Sequence, residues 1–120
     1  MKTYRVLSIR QPWAHLIIEG IKPIENRTWL VDYRGPILIH ASRTRDPALI
    51  AQHGLDADAL VYGAVIGRAD LIDIVEWHAS PFYVPGNFAW VLANPHRIKP
   101  IPLRGRLRLF STNLNISNRS

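Results

Sequence analysis

The chain has 120 residues, of which 48% are hydrophobic, and its net charge is +6; this length is typical of one domain. It contains no cysteine, which excludes disulfides, thiolate metal sites and a cysteine nucleophile. No apolar stretch approaches the roughly 20 residues that span a bilayer, and the N-terminus has no apolar run typical of a signal peptide. We therefore expect a cytoplasmic domain that does not associate with membranes, and a monomer.

The predicted elements follow from the period of the apolar residues, which is about 2 in strands and about 3.6 in helices. Pro12 fits the first position of a helix, where its missing N–H is not needed. Gly63 and Gly67 interrupt a long β-branched run and predict bends or bulges in a strand. In chain order, the predicted elements are a strand over residues 4–9, a helix over 11–20, strands over 22–30 and 35–42, a helix over 46–54, and strands over 62–77, 88–93 and 106–110.

This order of elements predicts the fold class. We expect a mainly β domain of the α+β class, with two to three helices that plug the ends of a small, curved or closed antiparallel sheet. No repeat or linker divides the chain, so a single domain is predicted over residues 1–112. The polar C-terminal tail, residues 113–120, is expected to fray.

The excess basic charge lies in the last third of the chain. Residues 1–76 hold nine basic and nine acidic side chains, whereas residues 77–120 hold six basic side chains and no acidic one. Such one-sided charge is typical of proteins that bind a polyanion, most commonly nucleic acid, although some proteins are basic without such a partner. We expect the acid-free stretch to form a positive surface continuous with a ligand cleft.

The densest group of functional side chains lies in residues 20–29. In an extended chain Glu25, Arg27 and Trp29 share one face, and the residues between them point away. Arginine can hold an oxyanion through two hydrogen bonds, tryptophan can stack on a base, and a carboxylate can accept from an exocyclic amine. The spacing fits equally a structural ion pair of Glu25 with Arg27 or Lys22, so both interpretations stay open.

Three arginines alternate with apolar or small residues near the C-terminus, at Arg104, Arg106 and Arg108. On a strand they would face one way at intervals of about 6.7 Å, which suits successive phosphates of a polynucleotide. The alternative is a solvated outer face, in which arginine discourages edge pairing.

Aromatic and histidine side chains supply further candidates. Tyr33, in a turn beside a basic residue, is a candidate for stacking on a base, whereas Trp13 and Trp90 are expected mainly to pack. His40 lies between apolar residues in a predicted strand, and it is either a hydrogen-bonded, half-buried residue or a ligand-binding one. The five histidines show no metal-ligand spacing, so we predict no metal site and no cofactor.

Several segments together resemble the ASCH domain family. They are residues 7–14, the Gly-x-Lys-x-x-Glu-x-Arg motif in 20–29, residues 33–42, and shorter matches up to residue 105. The resemblance covers about residues 4–110. It implies a PUA-like β-barrel with a cleft beside the first helix, RNA or nucleotide ligands, and a family motif that falls on Lys22, Glu25 and Arg27.

The resemblance also implies two kinds of chemistry. Some members look like single-strand ribonucleases, and others are amidohydrolases that remove an acyl group from an acetylated cytidine by means of a lysine, a threonine three residues later and a distant glutamate. Lys22 matches that lysine, but Glu25 stands at the threonine position. We therefore expect binding of single-stranded RNA or nucleotides, with metal-independent cleavage as a possible activity in which Glu25 is the base and Lys22 the acid or oxyanion partner. An amidohydrolase acting on an acylated cytidine nucleoside is the alternative.

Two sets of candidate residues result. The candidate catalytic residues are Lys22 and Glu25. The candidate RNA-binding residues come from the motifs, the turn and the basic segment, and they are Arg10, Trp13, Lys22, Glu25, Arg27, Trp29, Tyr33, His40, Ser42, Arg104, Arg106 and Arg108.

Overall fold

The computed structural model describes residues 1–116. Residues 117–120 of the predicted tail lie outside this range. No helix among the described residues is long and apolar enough to cross a membrane. In chain order the elements are β1 (Lys2–Gln11), α1 (Trp13–Ile18), β2 (Ile24–Arg27), β3 (Gly35–Arg45), α2 (Pro47–Gln52), a 3-10 helix (Ala57–Ala59), β4 (Ala64–Val75), β5 (Phe88–Pro102) and β6 (Leu109–Leu114).

The six strands form one sheet in the order β2-β5-β4-β3-β1-β6. The β1 and β3 strands are parallel, and all other neighbouring pairs are antiparallel. Within residues 1–116 no ladder joins the two edge strands, β2 and β6. The mainly β class with two α-helices is therefore confirmed, but the closed barrel is not, and the sheet is open.

Apolar side chains cover both faces of the central strands. Leu7 and Ile39 pack in one cluster with the buried face of α1, whereas their neighbours Val6 and Leu38 pack in a second cluster. Because successive residues of a strand point to opposite faces, a strand that is buried on both faces must be apolar almost throughout. This explains the unbroken apolar run at the centre of β3.

Gly67 allows α1 to lie close to the sheet. A Cβ atom at this position would lie 2.5 Å from Cδ1 of Ile18 and 2.6 Å from the carbonyl oxygen of His96. The register of β4 shifts near Gly67 in its pairing with β3 and again in its pairing with β5. The strand irregularity predicted from the glycine is therefore present.

The first helix is shorter than predicted. It begins at Trp13, and Pro12 precedes it as the N-cap residue rather than the first helical one. The helix ends early because the backbone N–H groups of Ile21 and Lys22 both donate to the carbonyl of Leu16, while Gly20 takes a left-handed conformation with φ +78°. The second helix begins as predicted, with Asp46 capping the N–H of Leu49.

The strand predicted over residues 22–30 is reduced to β2, four residues long. It pairs only with the start of β5, between Ile24↔Val91 and Arg27↔Phe88, and does not pair with β3. A strand extends only as far as its ladder partner does, and this partner is far away in the sequence.

The last predicted strand, over residues 106–110, is present, but its first three residues do not belong to it. The β6 strand begins at Leu109, and Arg108 has a left-handed φ of +63°, which interrupts an extended chain. Arg104, Arg106 and Arg108 therefore lie in a loop, residues 103–108, which we call the arginine loop. The strand that follows pairs with β1 as far as Lys2↔Leu114, so the first two residues of the predicted tail belong to the sheet.

Candidate functional site

A buried ion-pair network lies at the start of β2. The side chains of Lys22 and Glu25 are only 2% and 9% exposed, and Nζ of Lys22 donates to Oε1 of Glu25 at 2.7 Å. The same ammonium donates to the carbonyl of Ile24 at 2.8 Å. Nη2 of Arg27 lies 2.9 Å from Oε2 of Glu25 and donates to the carbonyl of Ser8 at 2.9 Å. One carboxylate thus holds two cations, and the network carries a net positive charge.

The end of α1 places Lys22 in this network. The chain turns at Gly20, whose φ is +78°, and Nζ of Lys22 then lies 5.3 Å from the ring centre of Trp13. A cation at this distance from an indole face is stabilised by the ring quadrupole. The ammonium therefore has a carboxylate on one side and an aromatic ring on the other.

The network forms one side of a pocket of about 920 Å³, which we call the first pocket. Its lining includes four aromatic rings, and three of them contact one another and form what we call the aromatic wall. The centre of the Trp13 ring is 5.7 Å from that of His53 and 6.0 Å from that of Phe82, in both cases edge to face. The residues lining the first pocket also include several polar and basic side chains, among them Ser8, Arg10, Asn26, Ser42, Thr44, Arg106 and Arg108.

Two of the three wall residues, His53 and Phe82, are not among the candidates predicted from the sequence. Phe82 lies in the loop between β4 and β5, and His53 caps the end of α2. Nothing in their local pattern indicates that they meet Trp13. The available signal is the pair of aromatic residues, Phe82 and Tyr83, in the Pro-rich segment 80–87, whose composition predicts a loop and nothing about its contacts.

Asn26 connects β2 to this loop. Its Nδ2 donates to the carbonyl of Phe82 at 2.9 Å, and its Oδ1 accepts from the N–H of Val84 at 3.0 Å. The alternation of side chains along a strand predicted that Asn26 would face away from the cleft, but Asn26 lines the first pocket. The reason is that β2 is an edge strand, and its free side is covered by the loop that carries Phe82.

The arginine loop lies across the middle of β1 and β3. A Cβ atom at Gly105 would lie 2.8 Å from Oγ of Ser8 and 2.9 Å from Cε1 of His40, so the glycine lets the loop approach the sheet. At its other end the guanidinium of Arg108 lies 4.4 Å from the ring centre of Trp29. The loop is therefore held at both ends, with Arg106 and Arg108 lining the first pocket.

His40 fixes the start of the arginine loop. It is buried, and its Nε2 lies 2.6 Å from the carbonyl oxygen of Leu103. A carbonyl can only accept, so Nε2 carries the proton and Nδ1 accepts from the hydroxyl of Ser8, 2.8 Å away. Burial lowers the pKa of His40 below its ordinary value of 6.5, against a smaller opposing effect of the Leu103 carbonyl. The imidazole is thus neutral and fully hydrogen-bonded.

Two predicted aromatic candidates lie outside the first pocket. Trp29 packs edge to face on Trp90, with ring centres 4.8 Å apart, and Tyr33 donates its hydroxyl to the carbonyl of Pro36. Both rings pack against the core cluster. Glu25, Arg27 and Trp29 were predicted to share one face, but Trp29 separates from the other two because β2 ends at Arg27. The tryptophan that lines the first pocket is Trp13 instead.

The positive surface has a different composition from the predicted one. Within the acid-free stretch, Arg97 forms an ion pair with Glu19 rather than lining the pocket, and Arg119 lies outside the described residues. Two arginines from the neutral first part of the chain join the arginine loop instead. None of the guanidinium groups around the loop forms an ion pair within residues 1–116; they are Arg10, Arg43, Arg104, Arg106 and Arg108. In that same range, no three histidine or carboxylate side chains are placed to hold a metal ion.

The open sheet, the buried ion-pair network and the arginine loop define a small α+β domain with an aromatic and cationic pocket. The chain belongs to the ASCH domain family, whose model matches residues 7–102, and its PUA-like fold is that of the family.

Known proteins of the family resemble the chain over most of its length. It is 26% identical to Activating signal cointegrator 1 of Mus musculus and 25% identical to that of Homo sapiens, in each case over 92% of this chain and 22% of the relative. The chain thus spans about a fifth of these relatives. The crystal structure of ASCH from Zymomonas mobilis is 22% identical, with a TM-score of 0.56 over 93% of this chain and 87% of that chain. A tyrosine-to-phenylalanine variant of the Zymomonas protein gives a TM-score of 0.58 at 21% identity, over 93% of this chain and 90% of that chain.

Proposed function

We propose that this domain binds single-stranded RNA in the first pocket. The observation that carries the proposal is that one pocket combines an aromatic wall with several cations. Of the residues that the structure describes, Glu25 is the one carboxylate lining it, and both of its oxygens are already paired. Such a pocket offers a surface for a base and positive charge for its phosphates. Membership in the ASCH family, which is associated with RNA binding, supports the same assignment.

The aromatic wall suits a base. Single-stranded nucleic acids are commonly held by stacking on aromatic side chains, which contributes about 1–3 kcal/mol per base. Trp13 and Phe82 come from different elements, α1 and the loop before β5, and meet at one end of the first pocket. A pocket of about 920 Å³ has room for a nucleotide.

The arginines of the first pocket are suited to bind the phosphates of the RNA backbone. Arg10, Arg106 and Arg108 line the first pocket without a carboxylate partner among residues 1–116. Guanidinium groups bind phosphate oxygens through paired, charge-assisted hydrogen bonds. In this proposal they neutralise the phosphates on either side of the bound base.

Cleavage of the bound RNA is the second candidate activity, and the contact of Lys22 with Glu25 at 2.7 Å inside the pocket favours it. Glu25 would have to accept the proton of a ribose 2′-hydroxyl while a cation stabilised the phosphorane. Because both of its oxygens are paired, bound RNA would have to displace one cation first. The amidohydrolase is the less favoured alternative, since Glu25 stands at the position where the resemblance implies a threonine.

The test is a titration of a labelled single-stranded 12-nucleotide RNA against the wild type, Trp13→Ala and Trp77→Ala. Trp77 is the matched control because its side chain is 70% exposed and lies outside the first pocket. We expect Trp13→Ala to weaken binding by roughly 5- to 150-fold, the range of one stacked base, and Trp77→Ala to bind like the wild type. Equal affinities for the three proteins would contradict the proposal.

The same samples, analysed on a denaturing gel, separate binding from cleavage. Intact RNA after prolonged incubation supports a binding module. Shortened RNA that stays intact with Glu25→Gln supports the ribonuclease, provided that the variant still melts cooperatively.

A further inference from the structure

A second pocket lies beyond the arginine loop, with a volume of about 820 Å³. It shares four lining residues with the first pocket, namely Ser8, Ser42, Arg106 and Leu107. Two of these belong to β1 and β3, and two belong to the arginine loop. The two pockets therefore meet along the arginine loop.

The second pocket is suited to negative charge. Among residues 1–116, its three cationic side chains are Arg43, Arg104 and Arg106, and no carboxylate lines it. Its other polar side chains are two serines and His40, and the histidine already bonds to Ser8 and to the carbonyl of Leu103. Apart from that imidazole, no aromatic residue in the described part of the chain lines it, so in contrast to the first pocket it lacks a stacking surface for a base.

Arg43 has a defined place beside this pocket. A Cβ atom at Gly63 would lie only 3.2 Å from Cζ, Nε and Nη2 of Arg43, which shows that the guanidinium packs directly on the backbone at Gly63. This glycine has a left-handed φ of +68°, and its carbonyl accepts from the N–H of Leu103 at the start of the arginine loop. The backbone thus brings Arg43 and the loop to the same pocket.

Resting on the proposed function, we propose that the second pocket binds the phosphodiester backbone of the nucleotides adjacent to the base in the first pocket. The ligand of this domain is then an oligonucleotide rather than a mononucleotide. A positively charged groove that follows the backbone, next to an aromatic surface for bases, is the usual way in which proteins bind single strands. The two roles follow from the lining residues: the first pocket combines the aromatic wall with arginines, whereas the charged lining residues of the second pocket are arginines.

The experiment compares ligand lengths by calorimetry. AMP, CMP and UMP are titrated beside the tetranucleotides rA4, rC4 and rU4, using the wild type, Arg43→Ala and Lys99→Ala. Arg43 lines only the second pocket, whereas Lys99 is an exposed residue of β5 that lines neither. Both substitutions remove one positive charge, so their difference isolates the second pocket.

We expect the wild type to bind its preferred tetranucleotide at least about tenfold more tightly than the corresponding mononucleotide. Arg43→Ala should weaken tetranucleotide binding roughly fivefold, the upper range for an exposed charge pair, and should reduce the slope of log K against log salt by about 0.7, the contribution of one phosphate of a single strand. Mononucleotide binding should stay unchanged, and Lys99→Ala should behave like the wild type. Arg104→Ala should repeat the effect of Arg43→Ala.

Three results would overturn the inference. Equal affinity of the wild type for mononucleotide and tetranucleotide would show that the second pocket takes no part, although the proposed function would stand. An equal loss for both ligands in Arg43→Ala would show that the two pockets are not separate. Failure of every nucleotide to bind, with tetra-aspartate binding in an Arg43-dependent way, would overturn the proposed function as well and would assign the second pocket to an acidic peptide.

Discussion

Glu25 is the residue on which the candidate site depends. It is the partner of both a nearly buried ammonium and a half-buried guanidinium. The sequence spacing indicated a pair with Arg27 or with Lys22, and the structure contains both pairs at once. Removing one partner of a buried pair is costly because the remaining charge has no compensation, whereas removing a charge that leaves the others paired costs less.

We therefore expect Glu25→Gln to lower the free energy of unfolding by roughly 3–5 kcal/mol. Lys22→Met should cost less than half as much, because Glu25 keeps Arg27 and the methionine fills a similar volume. Urea denaturation of the three proteins measures both values. A Glu25→Gln protein as stable as the wild type would show that the network does not carry stability.

His40 is the residue that makes stability depend on pH. Burial lowers its pKa, so the folded state disfavours the protonated imidazole, which the unfolded chain accepts from about pH 6.5 downwards. The unfolded state then binds more protons, and stability falls as the pH drops below about 6.5. Arg43, Arg104 and Arg106 line the same pocket as this imidazole. His15, whose pKa is also lowered by burial and by Arg97, adds to the trend.

His40→Gln should reduce this dependence. Glutamine keeps an N–H that can reach the carbonyl of Leu103, but it does not titrate. We expect the melting temperature of the wild type to fall more between pH 7.5 and pH 5.5 than that of His40→Gln, even if the variant is less stable at both values. Parallel shifts of the two proteins would contradict this account of His40.

At the scale of elements, the loops place the functional groups, and they were the least predictable part. The alternation of Arg104, Arg106 and Arg108 is typical of a strand, yet these residues lie in a loop because no ladder partner reaches them before Leu109↔Leu7. The loop is positioned instead by His40 and by Trp29, which are distant in sequence. Local patterns carry no information about such contacts, whereas α2 was predictable because Asp46 and Pro47 are local start signals.

The hydrogen bonds of Asn26 connect one element to another, and their loss should affect function more than stability. Asn26→Ala removes both bonds to the loop that carries Phe82, so the aromatic wall loses its fixed geometry. We expect RNA binding to weaken roughly tenfold, within the value of one stacked base. Asn87→Ala is the control, since its side chain bonds only within the loop, to the carbonyl of Val84. If both variants bind RNA like the wild type, Asn26 does not position the wall.

At the scale of the whole molecule, the family and the mainly β class were predictable, but the closure of the sheet was not. The motifs around Lys22 and the apolar run of β3 are local features. Closure depends instead on whether β2 and β6 meet, and these short edge strands lie at opposite ends of the strand order. The total charge was likewise predictable, but its distribution was not, because Arg97 pairs with Glu19 while Arg10 and Arg43 join the arginine loop.

This charge distribution predicts how RNA binding depends on salt. Five arginines without a carboxylate partner within residues 1–116 surround the two pockets. If each arginine neutralises one phosphate of a single strand, the slope of log K against log salt is about −3.5 at its steepest. RNA titrations at several salt concentrations between about 50 and 300 mM measure this slope. A slope near zero would show that the arginines do not contact phosphates.

The most direct test of the central claim, that the first pocket is where RNA binds, uses the indole N–H signals of the four tryptophans in an NMR titration. Trp13 lines the first pocket, Trp90 is buried, and Trp77 is exposed elsewhere; each signal is assigned from a Trp→Phe variant. On addition of a single-stranded RNA tetranucleotide, we predict that the Trp13 signal shifts until saturation while those of Trp77 and Trp90 stay in place. A shift of Trp77 without one of Trp13, or no shift of any indole at saturating RNA, would contradict the account.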